Sequence, residues 1–230
     1  MSAPVRRIQE LFTDRYIITR KKKYNASQVK LKAKAEHPGR PRSFDTERAL
    51  DCAMRVFREK GYEGASLSDL TGAMGINRPS MYAAFGDKES LFRKVLDRYA
   101  GNTRNFFQQA LEEKTARAVA ERLLYSAIDL QACREGPRGC LITQSALVCG
   151  DESESIRREL TSLRHQQEAV IRDRLRSAKK DGDLPDDANP ADLARFLTTV
   201  MQGMSVLANG GASKAELRRV ADTALRAWPV

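Results

Sequence analysis

The run SLSDLTGAMGINRPSMYAAFGDK, Ser66 to Lys88, restricts this chain more than any other part of it. It reads as two short helices around a tight turn. Ser66 is placed to cap the first helix, and Asp69, three residues on, completes a capping box. Leu67, Leu70 and Met74 recur at helical spacing and give that helix an apolar face. Gly75 stands where a helix C-terminus takes a left-handed residue. Asn77 then caps a second helix with Pro79 in its first turn, where a missing N–H costs nothing. Met81, Tyr82 and Phe85 give this helix a side to pack with. Arg78, Pro79 and Ser80 lead it with residue types suited to a polar surface. This is a helix-turn-helix signature.

The rest of the chain has to supply a body and a partner for that unit. Its 230 residues suffice for one large domain or two ordinary ones, and 41% hydrophobic with 30% charged residues fits a globular protein. No apolar run approaches the roughly 20 residues that span a bilayer, so no membrane partner is expected. The first residues lack the apolar core of about 7–15 residues of a secretory signal, and the expected location is the cytoplasm. Four cysteines, Cys52, Cys133, Cys140 and Cys149, form no close-spaced ligand pair, and neither a metal nor a cofactor is expected.

The net charge of +10 is unevenly spread. Residues 1–42 carry +9, residues 43–110 carry +1, and residues 111–230 are neutral. The excess thus lies in an arm, which points to a polyanion, most often nucleic acid. A solvated tail without a partner is the alternative for its first part. The arm ends in GRPR, Gly39 to Arg42, two arginines on a proline-stiffened strand that suit a minor groove or a phosphate path.

Helical periodicity accounts for everything firm after the arm. A first helix from Asp45 to Lys60 has Ala49, Leu50, Ala53, Met54 and Phe57 on one face and Gly61 at its end. A helix of some 20 residues starts at Asp87 and buries Leu91, Phe92, Val95, Leu96, Tyr99 and Phe106. Further helices are expected over 116–132, 140–148, 152–180, 191–208 and 213–228. The predicted fold class is therefore all-α, with a basic arm at 1–42, a three-helix DNA-binding domain at 43–88 and a helical effector-binding and dimerisation domain at 89–230. The last two helices carry broad apolar stripes. Phe196, Val200, Gly203 and Leu207 on one, with Leu217, Val220 and Ala224 on the other, are the candidate faces of a four-helix dimer interface. The alternative use of both stripes is the core of a single subunit.

Several ordered details resemble the TetR family of bacterial transcriptional regulators. Ala53, Phe57, Gly61, Tyr62 and Ser66 read AxxxFxxxGYxxxS, followed by the Gly-Ile-Asn turn, Tyr82-x-x-Phe85 and Asp87-Lys88-Glu89. The match covers roughly a quarter of the chain. Beyond it, only the run GPRGCLITQSAL resembles that of some electrophile- and redox-responsive members. The resemblance implies a DNA-binding domain and a larger helical domain that dimerises and binds an effector. It implies that Arg78, Pro79 and Ser80 face base edges and that Tyr82 and Lys88 meet phosphates. Ser66, Ser68 and Thr71 lie near the backbone, and Arg42 is the arm contact. Ala83 and Ala84 depart from the pattern, where a second aromatic and a histidine are frequent.

The expected function is then a homodimeric repressor on a double-stranded DNA operator, released by a small-molecule effector or by thiol modification. An activator or a constitutive DNA-binding protein is the alternative. An enzyme is not expected, since no acid/base pair, phosphate loop or metal set is present. Cys140 opens an apolar segment after a glycine-containing loop. A thiol at a helix N-terminus is often acidified and reactive, which makes Cys140 a candidate sensor with Cys133 or Cys149 as resolving partner. Its other reading is a small buried hydrophobe. Phe106, Tyr125 and Met204 are candidate linings of an effector pocket, or ordinary core.

Overall fold

The structure is a computed structural model that describes residues 44–132, 138–147 and 153–229. The arm with its Arg42, and both Cys133 and Cys149, lie outside the described residues.

Every regular element among the described residues is an α-helix. They are α1 (Thr46–Gly64), α2 (Leu67–Met74), α3 (Arg78–Phe85), α4 (Lys88–Leu111), α5 (Ala116–Gln131), α6 (Leu141–Leu147), α7 (Glu154–Lys180), α8 (Pro190–Asn209) and α9 (Lys214–Arg226). The starts follow from side-chain caps. Asp45, Asn77, Asp87, Thr115, Asn189 and Ser213 each accept a backbone N–H of the turn they precede. Gly61 breaks α1 with φ 70°, as a helix end at that glycine requires, but the chain resumes a helical turn through Gly64. That extra turn carries Tyr62 into the core.

Aromatic packing holds the N-terminal part together. The Phe57 and Phe92 rings meet edge-on at 4.9 Å, and Tyr62 lies 4.9 Å from Phe92. Leu70 and Met74 of α2, Met81 and Phe85 of α3, and Leu91, Val95 and Leu96 of α4 complete this core. It does not stop at the boundary expected between residues 88 and 89. Leu141 of α6 and Ile156 and Leu160 of α7 belong to the same cluster. Burial follows the face of α4, and that face runs on past residue 88.

In the C-terminal part α5 packs on α4, α8 and α9, and α7 packs along α8. Two expectations change here. Leu217 (0% exposed) and Ala224 (7%) are core residues of the single chain, turned inward with Ala221 and Leu225, so they offer nothing to a second copy. Phe106 is not on the buried side of α4 but 43% exposed. No residue from Asp97 to Gln109 is buried, so Phe106 is open although it stands one turn before the buried Ala110. Finally, α8 is apolar on two sides. Ala194, Leu197, Met204 and Ala208 face inward, whereas Phe196 (37%), Val206 (47%) and Leu207 (48%) are open. Val200 is half-buried, and Gly203 lies exposed on the same outer side.

Candidate nucleic-acid interface

The geometry of the two helices rests on local chemistry that the sequence spells out. The Ser66 Oγ accepts from Asp69 N–H at 3.0 Å, and Asp69 Oδ2 accepts from Ser66 N–H at 3.0 Å and from the Ser66 hydroxyl at 2.7 Å. Lys60 adds an ion pair to Asp69 at 2.7 Å. The Lys60 ammonium, the Ser66 hydroxyl and the Ser66 N–H together lower the Asp69 pKa to about 2. A group with a depressed folded pKa stabilises above its unfolded value and ceases to do so as the pH falls through the folded one. Thermal stability is expected to drop between about pH 4 and about pH 2 in the wild type. Asp69→Asn should flatten that part of the profile, as followed by helical circular dichroism. Gly75 closes α2 in the left-handed region (φ 67°, ψ 30°), and Ile76 N–H returns to the Thr71 carbonyl at 3.1 Å.

These joints set α3 across the end of α2 with one buried and one open side. Met81 and Phe85 are 0% and 1% exposed, while Tyr82 is 48% exposed. Arg78, Pro79 and Ala83 are open, and Ser80 is half-buried with its N–H on Asn77 Oδ1. The Arg78 Nη2 donates to Ser68 Oγ at 3.0 Å, so α2 and α3 are joined on the open side too. Two of the hydroxyls expected near a DNA backbone are engaged at home. Ser66 is used in its cap, and Thr71 donates to the Leu67 carbonyl at 2.8 Å. Lys88 rests 4.6 Å from the centre of the Tyr62 ring and donates to the Glu63 carbonyl at 3.4 Å. Its ammonium thus stands at the last turn of α1.

Several positioning residues escape sequence reading. Lys94 Nζ donates to the Phe85 carbonyl at 3.1 Å and to that of Ala84 at 3.4 Å, closing the C-terminus of α3. Arg98 of α4 grips Asp51 of α1 with two bonds of 2.6 and 2.7 Å and also bonds Glu47. That guanidinium holds the Asp51 carboxyl below its ordinary pKa. Arg93 bridges to Glu159 of α7 at 2.9 Å. Three of these links join residues 47, 51 and 66 positions apart, which no local pattern reveals.

The sensor and effector candidates have separate surroundings. Cys140 is half-buried at the head of α6, and its N–H donates to Ser205 Oγ at 2.7 Å. The Tyr99 hydroxyl lies against the Cys140 thiol, and burial chiefly pushes the phenol pKa well above its ordinary value. Cys52 is buried in α1, as a packing residue is. Tyr125 donates to Asp222 of α9 at 2.7 Å, Met204 is fully buried in α8, and Phe106 faces solvent. Among the described residues no group of His, Cys, Asp or Glu is arranged to hold a metal ion, and no helix is long and apolar enough to cross a membrane.

Comparison with known proteins agrees with this arrangement on both halves. The family described as "Bacterial regulatory proteins, tetR family" matches residues 49–95, and "Tetracyclin repressor-like, C-terminal domain" matches residues 120–224. The HTH-type transcriptional repressor ComR of Escherichia coli (strain K12) is 36% identical over 83% of this chain and 92% of its own length. The repressor BdcR of the same strain is 32% identical over 81% and 90%. Among solved structures, a cysteine mutant of the TetR family regulator CifR with a 26 bp double-stranded operator is 43% identical. It covers 83% of this chain and 100% of its own, with a TM-score of 0.78.

Proposed function

Because the chain belongs to the TetR family of bacterial regulatory proteins, and so is a transcriptional regulator and not an enzyme, we propose that it is a homodimeric repressor of a double-stranded DNA operator. One observation carries this reading. The α3 helix is anchored by Met81 and Phe85 and leaves Arg78, Pro79, Ser80 and Tyr82 on its accessible side. Arginine is the side chain best matched to a guanine edge, and tyrosine or serine hydroxyls hold register on phosphates. Lys88 adds a phosphate contact from the head of α4, with Ser66, Ser68 and Thr71 close to the backbone. The arm to Arg42 supplies long-range attraction, since residues 43–230 carry only +1 in total.

The outer side of α8, with Phe196, Val200, Gly203 and Leu207, supports pairing of two copies, and Val220 of α9, half-buried, extends it. Doubling matters because one such unit reads few base pairs. The working division is an arm at 1–42, a reader at 43–88 and a dimerising, effector-responsive body at 89–230. Release follows from a small-molecule effector or from modification of Cys140, whose thiol adjoins Tyr99 of the long helix α4. A change there tilts α4 and alters the spacing of the two α3 helices. The named relatives, two repressors and an operator complex, favour repression.

Electrophoretic mobility shift on the intergenic DNA upstream of its gene tests the proposal. The wild type is expected to bind an inverted repeat as a dimer and to be released by a mild oxidant. Cys140→Ser is expected to bind equally well and to stay bound under the oxidant. Normal release of Cys140→Ser sinks the thiol route and leaves the small-molecule route.

A further inference from the structure

We propose that Arg58 is the positioning residue through which the turn at residues 138–140 sets the orientation of the DNA-reading helices. The inference rests on the reading of the chain as an operator-binding regulator and adds a contact through which the turn at residues 138–140 acts on α1. Arg58 sits in α1, three residues before the break at Gly61. Its Nη2 donates to the Gly139 carbonyl at 3.0 Å across 81 residues of chain, and its buried Nε has no hydrogen-bond partner. Both ends of this bond are held. On the reader side, α1 carries Phe57 and leads directly to Tyr62 and the cap of α2.

The other end has no slack. Gly139 N–H donates to the Gln131 carbonyl at the end of α5 at 2.9 Å. Its neighbour Cys140 donates to Ser205 Oγ of α8 at 2.7 Å, and Arg138 donates to the Gly211 carbonyl at 3.0 Å. Gly139 has φ +81°, and a Cβ there would stand 2.9 Å from the Ser205 carbonyl oxygen and 3.0 Å from Gln144 Nε2. Only glycine fits, and a shift of α8 or of the Cys140 backbone moves the Gly139 carbonyl with it. Burial and the Cys140 thiol raise the Tyr99 phenol pKa and the Arg58 charge lowers it, so both groups act on Tyr99.

A second route runs through Leu141, which is buried in the same cluster as Phe57 and Phe92. Apolar contacts of this kind can slide, whereas a charge-assisted bond from a planar guanidinium to one carbonyl is directional. That difference assigns the transmission to Arg58. Arg58 touches no operator in this scheme and acts only by placing α1.

A double-mutant cycle on the full-length protein, read as operator affinity, tests it. Gly139→Ala displaces the turn. Arg58→Met keeps the aliphatic stem and removes the donor. Gly139→Ala is expected to weaken binding by about tenfold when Arg58 is present, and by less than about twofold in the Arg58→Met background. Equal fold-changes in the two backgrounds overturn the proposal. A merely structural Arg58 lowers the melting temperature and leaves that ratio unchanged. Should circular dichroism show Gly139→Ala unfolded, Ser205→Ala replaces it, since it removes the acceptor of the Cys140 N–H, and the same two outcomes apply. Wild-type protein that binds no operator overturns the regulator reading together with this one, whereas wild-type binding with equal fold-changes overturns this one alone.

Discussion

Arg78→Ala is expected to weaken operator binding by at least about 30-fold and to relax preference at one base pair in each half-site. A bidentate arginine–guanine pair contributes about 1–3 kcal/mol of discrimination, and a dimer uses two, so the loss per complex is about 2–6 kcal/mol. The side chain adds only one exposed hydrogen bond to the fold. Arg78 is exposed, and its bond is to Ser68 Oγ at 3.0 Å on the surface. The melting temperature should therefore hold while affinity falls. Arg78→Lys keeps the charge and loses the fork, so it should recover part of the affinity and little of the base preference. The measurement is a titration of operator and of single-base variants by fluorescence anisotropy at fixed salt. Unchanged affinity and preference in Arg78→Ala would count against α3 as the reader.

Phe92→Ala should have the largest effect on stability. Phe92 is fully buried, and its ring meets Phe57 and Tyr62 at 4.9 Å each. Removing a buried Phe costs about 3–5 kcal/mol from lost transfer energy and the cavity left behind. The total available to a domain is about 5–15 kcal/mol. Phe92 joins α4 to α1 and to the turn that carries Tyr62, so the loss falls on the reader and on its attachment together. Chemical denaturation at a fixed protein concentration should show a marked drop in midpoint, with operator affinity reduced in proportion to the unfolded fraction. Phe92→Leu keeps most of the volume and should lose much less. A Phe92→Ala protein that unfolds at the wild-type midpoint would contradict this account of the core.

Both substitutions fall on residues that the sequence singled out. Ser66 and Asp69 at a spacing of three, Gly75 and then Asn77 ahead of Pro79 are local signals. Their consequences are local too, and the capping box, the left-handed turn and the start of α3 all occur where those residues stand. The same holds for Asp45, Asp87 and Ser213 as helix starts. Periodicity also separates Met81 and Phe85 from Ser80, whereas Arg78 shares the phase of the apolar pair and is open because it stands in the first turn of α3.

Phase fails where a helix is apolar all round or long enough to change neighbours. The stripe on α8 runs through Phe196, Leu197, Val200, Met201, Met204 and Leu207, and sequence alone does not say which of these face inward. Packing on α5 and α7 takes Leu197 and Met204 and leaves Phe196 and Leu207 open. On α9 the opposite occurs, and Leu217 and Ala224 go inside. Phe106 follows the same logic on α4, where the covering neighbours pass by its side.

What the sequence by itself determined is the set of helices, the caps of the reader and its turn, because each depends on residues within a few positions of one another. Only the tertiary structure decided which apolar stripes stay open. It alone showed that Lys94 and Arg98 fasten α3 and α1 to α4, and that the Gly139 carbonyl lies within reach of Arg58. Those outcomes depend on which helix lies against which, and contacts between residues 81 positions apart leave no trace in local spacing.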